Sequence, residues 1–138
     1  MNVRLLVMAA TLFASLSLSG PGHANDEDGE CQNPSTQVQM NECAAIEAHT
    51  ADVELSVAFN RARDHLAVIE ENTPKEWKGV QAALLSAQRA WITYRDEHCR
   101  AQGLRFGGGS ILPLIVNACL AQLTRERTRQ LKELAEEG

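Results

Sequence analysis

Between Pro34 and Pro74 the chain contains neither glycine nor proline. A stretch of that length in a small protein has few solutions other than a long helix. Asn33 is a candidate N-cap, with Pro34 at the first helical position, where its missing N–H costs nothing. The pattern predicts a first helix from about Pro34 to Glu71. Met40, Cys43, Ala51, Leu55, Ala58, Ala62, Leu66 and Ile69 form its apolar stripe, interrupted by Glu47. That stripe is narrow and alanine-rich, which suits close approach of another helix rather than a broad core. The helix is longer than an ordinary globular one and implies a long antiparallel hairpin, with 51–55 as the place where a bend would fall.

Two further helices follow from the chain breakers. Glu70-Glu71-Asn72-Thr73-Pro74-Lys75 marks the first reversal. Thr73 is expected to cap a second helix running from Pro74 to about Ala101, with Glu76 completing a capping box. Trp77, Val80, Leu84, Ala87, Trp91, Tyr94 and His98 recur three and four residues apart and are expected to form its inner face. Gln88, Arg89, Thr93, Arg95 and Glu97 then fall off that seam or at its edge. The run from Gly103 to Ser110, with glycines at 107, 108 and 109, cannot be a helix interior and forms the second reversal. Ser110 is a candidate cap for a third helix carrying Pro113 in its first turn. Leu112, Ile115, Cys119, Leu123, Arg127, Leu131 and Leu134 lie on one of its sides. No alternating strand pattern competes, so the expected fold is all-α, a small three-helix antiparallel bundle.

The N-terminus reads as an address. Met1-Asn2-Val3-Arg4 is basic, residues 5–18 are apolar, and Gly22 and Ala24 are small, the pattern of a signal peptide over residues 1–24. The apolar run is too short for the roughly 20 residues of a spanning helix. Residues 25–33 follow as an acidic flexible segment, and 34–138 as one helical domain. No Leu-x-x-Cys lipobox precedes Cys31, so no stable membrane anchor is expected after cleavage. The formal charge of −5 becomes −6 once Arg4 is removed. An acidic protein disfavours nucleic acid and suits a basic protein partner. Four cysteines in an exported chain read as two disulfides. Three pairings are open; Cys31–Cys43 with Cys99–Cys119 is favoured, because each closes a short local segment around a helix end.

Chemistry for catalysis is thin. Asp96 and Glu97 are adjacent and point in different directions on a helix. Glu47, on an apolar stripe, calls for a partner, with Arg95 or Arg89 as candidates. No serine or cysteine set joins His49, His65 or His98 into a triad. Without Cys-x-x-Cys spacing, no metal site is expected. The glycine turn lacks the lysine and strand of a phosphate loop. The chain reads as a non-enzyme with no cofactor.

Taken in order, Cys31, Thr36, Met40, Cys43, Ala51-Asp52 and Leu55 precede Gln88, Arg89, Trp91, Tyr94, Arg95, Asp96 and Cys99. Gly108, Gly109, Ser110, Pro113, Cys119, Leu123, Thr124 and Arg127 follow. This succession resembles the LprI-like lysozyme-inhibitor family, exported bacterial proteins formerly grouped as a domain of unknown function. The resemblance implies a periplasmic or secreted helical protein that binds and inhibits lysozyme, protecting the cell wall. Lysozymes of animal type are basic, with two carboxylates in the cleft; Arg105 and Ser110, flanking the glycines, are the candidate inhibitory residues. The alternatives are an immunity or adaptor protein for another envelope protein, and a binder of cell-wall glycan through Trp91 or Trp77.

Overall fold

A computed structural model describes residues 31–136. The expected signal peptide and most of the expected acidic segment lie outside the described residues. Three long helices make up the fold: α1 (Gln37–Asn72), α2 (Val80–Leu104) and α3 (Leu112–Glu136), with a single 3-10 turn at Lys75–Trp77 between α1 and α2. Among the described residues there is no strand.

Each helix begins somewhat later than the sequence pattern implies, for a local reason in each case. Asn33 and Pro34 stay outside α1. Thr36 is its N-cap: the Thr36 hydroxyl accepts from the Gln39 N–H at 3.2 Å while the Gln39 side-chain oxygen accepts from the Thr36 N–H at 3.1 Å. At the first reversal Thr73 does not cap a second helix. It terminates α1, donating its hydroxyl to the Ile69 carbonyl at 2.7 Å. The chain then makes the 3-10 turn, which leaves Trp77 exposed and outside α2, and enters α2 through Gly79 at φ +126°. The orphan N–H groups at that start are satisfied from α1: the Glu70 carboxylate accepts from Gly79 N–H at 3.1 Å and Gln81 N–H at 2.9 Å. Ser110 likewise does not begin α3, which starts at Leu112 with the Ile111 carbonyl accepting from Ile115 N–H.

α1 runs unbroken through 51–55. Its buried stripe is Ala44, Ala48, Ala51, Leu55, Ala58, Ala62 and Leu66. Glu47 and Ile69, placed on the stripe by sequence, are exposed. The chief neighbour of α1 is α3, whose buried positions are Cys119, Ala121, Thr124, Thr128 and Leu131. Alanines meeting small and β-branched residues let two helix backbones come close. α2 runs back beside this pair. The apolar centre is Leu55, Ala58, Ala62, Leu66, Leu84 and Leu131, with Phe59, Val80, Trp91 and Leu134 at its margin.

The inner face of α2 is rotated from the expected seam. Leu84, Gln88, Cys99 and Gly103 are buried, Trp91 and His98 are half-buried, and Ala87 and Tyr94 are exposed. Two disulfides, Cys31–Cys43 and Cys99–Cys119, complete the fold in the favoured pairing. The first fastens the segment before α1 to its second turn; the second staples α2 to α3.

Candidate functional site

The residues that dominate the sequence motif form a polar joint between helices. Arg95, on α2, has a side chain only 12% exposed. Its guanidinium donates to Asp52 on α1 at 2.7 Å, to Thr124 on α3 at 3.1 Å and to the adjacent Asp96 at 2.9 Å, and lies 5.1 Å from the Trp91 ring centroid. One planar cation therefore ties three helices together and stacks on an aromatic face. Two turns earlier, buried Gln88 accepts from Arg127 Nε at 3.0 Å, and Arg127 also donates to Gln130 at 3.0 Å. Burial holds the Arg127 guanidinium below its ordinary pKa by desolvation.

Glu47 is not partnered by Arg95 or Arg89. It is exposed and pairs with Arg125 of α3 at 3.2 Å, while Asp52 takes Arg95. Arg89 stays exposed on the rim of an open groove of about 490 Å³ between α1 and α2, where Gln88 and Arg95 also contribute. Tyr94 is exposed, with its ring 5.3 Å from that of His98. The motif around Trp91 thus divides between a joint that fixes helix positions and a surface carrying Arg89 and Tyr94.

The second cluster is the α2–α3 turn. Gly107, Gly108 and Gly109 take φ of +75°, +83° and +79°, and a Cβ placed on any of them would meet nothing within 4 Å. The requirement for glycine here is therefore conformational rather than steric. Leu104 and Phe106 are each 56% exposed, and Ile111 is exposed beside them. Arg105 caps the C-terminal end of α2 in helical geometry and makes no ion pair among the described residues. Ser110 is exposed, and its carbonyl accepts from the Asn41 side chain of α1 at 2.9 Å. The turn is held from three sides, by the Cys99–Cys119 disulfide, by Asn41, and by Gly103, whose Cβ, if present, would sit 2.6 Å from Val116 Cγ2. Arg105 and Ser110 thus share one anchored turn, whereas the joint at Arg95 belongs to the middle of the molecule.

Asp96 and Glu97 are engaged by Arg95 and Arg100. Every described cysteine is in a disulfide, and among the described residues no group of three or more His, Cys, Asp or Glu side chains is placed to hold a metal ion. No described helix is long and apolar enough to cross a membrane.

Fold and site together define a disulfide-clasped three-helix protein with an anchored, apolar turn at one end. The sequence profile of the lysozyme inhibitor LprI family matches residues 28–131, and the chain belongs to that family. It is 37% identical over 135 residues to an uncharacterised protein of Rhizobium meliloti (strain 1021), covering 93% of this chain and 94% of that protein. A crystal structure of a DUF1311-family protein from Pseudomonas putida KT2440 shares the fold, with a TM-score of 0.65 at 23% identity, covering 77% of this chain and all of that one.

Proposed function

We propose that this protein is exported, loses residues 1–24 as a signal peptide, and binds and inhibits a lysozyme in the periplasm or outside the cell, protecting the cell wall from muramidase cleavage. Membership of the lysozyme inhibitor LprI family is the observation that carries this reading. The two disulfides suit an oxidising compartment. The acidic net charge would steer the chain towards a basic muramidase. The protein acts by binding, with no bond made or broken on its own residues.

Arg105 and Ser110 are the residues offered to the carboxylates of the muramidase cleft. Among the described residues the Arg105 cation has no ion-pair partner and the Ser110 hydroxyl no hydrogen-bond partner, and both sit on an anchored turn, an arrangement that loses little entropy on docking. Arg105→Ala is expected to weaken inhibition about tenfold or more, with Ser110→Ala contributing less. Unchanged inhibition in both variants would remove these residues from the contact.

A second reading, glycan binding, draws on Trp77, which at 77% exposed is available to stack on a sugar. Trp91 suits that role less well, since it is half-buried beside Arg95. Titration of the oxidised mature protein against c-type, g-type and i-type lysozymes acting on peptidoglycan separates the two readings. Stoichiometric loss of activity with one class is expected. Retention on peptidoglycan without inhibition of any class would favour the glycan reading instead.

A further inference from the structure

Charge is distributed unevenly along this chain. From Ala101 to Thr124 the only charged residue is Arg105, and from Cys31 to Asn41 there is none. These two stretches meet in space, because Asn41 of α1 bonds to Ser110 of the turn. Within these two stretches the single charge is that of Arg105; the acidic run before Cys31 lies outside the described residues. The same stretches expose Leu104, Phe106 and Ile111, with Val38 at the start of α1 also 64% exposed. Both disulfides touch them, at Cys31–Cys43 and Cys99–Cys119.

A surface of this kind is cheap to desolvate. Charged residues are depleted from interface cores, where aromatic side chains and arginine are enriched, because an unpaired charge taken out of water is costly. The anchored turn presents that composition in Arg105 and the half-exposed Phe106. The acidic remainder of the molecule suits long-range attraction to a basic partner, and the lone cation suits an anionic cleft within that partner.

From this we infer that the α2–α3 turn enters the substrate cleft of the muramidase, with Phe106 as the apolar anchor, Arg105 against the cleft carboxylates, and Leu104 and Ile111 excluding water around them. The inference rests on the proposed inhibition of lysozyme and deepens it: inhibition is competitive with oligosaccharide. The groove between α1 and α2 takes no part in it.

The test uses the oxidised mature protein and whichever lysozyme class it inhibits, with tri-N-acetylchitotriose as the cleft-occupying competitor. Inhibition constants are measured for the wild type, Phe106→Ala, Arg89→Ala on the α1–α2 groove, and Val57→Ser on the outer face of α1. Thermal unfolding of each variant is recorded beside them; Phe106 is exposed, so its truncation leaves the fold intact. Phe106→Ala is expected to weaken inhibition about thirtyfold, the loss typical of an interface anchor. Arg89→Ala and Val57→Ser should stay within about twofold of wild type, and the trisaccharide should displace the wild-type protein. Inhibition that survives Phe106→Ala, or that the trisaccharide leaves untouched, overturns the cleft assignment while the inhibitor reading stands. A wild-type protein that inhibits no lysozyme overturns both.

Discussion

Arg95 directs its donors to α1, to α3 and to its own helix, and it lies over the Trp91 ring. Replacing it with methionine keeps much of the apolar stem but strands the Thr124 hydroxyl, which is fully buried, and frees Asp52. Loss of charge-assisted bonds at a mostly buried position should lower unfolding free energy by about 2 kcal/mol, measured by urea denaturation. Arg63→Met, whose ion pair with Asp64 is solvent-exposed, should change it by no more than about 0.5 kcal/mol. Gly103 makes a second prediction at this scale. Its Cβ would intrude on the stiff, β-branched Val116, so Gly103→Ala should lower stability by about 1–3 kcal/mol although alanine is the better helix former. Hydrophobic periodicity assigned Gln88 and Arg95 to the edge of the seam because polar residues read as outward-facing. Their inward placement depends on Arg127, Thr124 and Asp52, which arrive from other helices and leave no mark on the local pattern.

Among the elements, α2 is the one whose start depends on another helix. Gly79 offers no side chain to cap it, and Glu70 of α1 accepts two of its first N–H groups. Glu70→Ala should therefore destabilise the fold by about 1–2 kcal/mol and selectively increase amide exchange over residues 79–83. Thr73, Pro74 and Glu76 form a plausible capping box in sequence; the chain instead makes a 3-10 turn there, and the helix starts six residues further on, where Glu70 serves its first N–H groups. The Gly-rich second reversal was legible because three glycines admit no alternative, and α3 begins within two residues of its expected cap. The Cys99–Cys119 crosslink joins positions separated by 20 in sequence. Replacing both cysteines by serine should remove about 3 kcal/mol, read as a lowered urea midpoint, and loosen the turn.

At the scale of the molecule, the number of helices and their order follow from the breakers, and of three open disulfide pairings the one favoured for its short local loops is the one formed. The rotational setting of the helices does not. α1 and α3 meet through Ala44, Ala48, Ala51, Ala121, Thr124 and Thr128, residues too small or too polar to dominate a hydrophobicity pattern, so Glu47 and Ile69 were drawn onto a face they do not occupy. The candidate contact surface was partly legible: the glycine turn and Arg105 stand out in sequence. Phe106, Leu104 and Ile111 acquire meaning only when the turn is seen to project beside the uncharged start of α1.

Amide hydrogen exchange of the oxidised mature protein, alone and with one equivalent of the lysozyme it inhibits, tests this account most directly. Protection concentrated at residues 104–111 and at the start of α1, with the α1–α2 groove unchanged, is the predicted footprint. Protection centred on that groove around Arg89 and Ile92, with the turn exchanging as in the free protein, would contradict it.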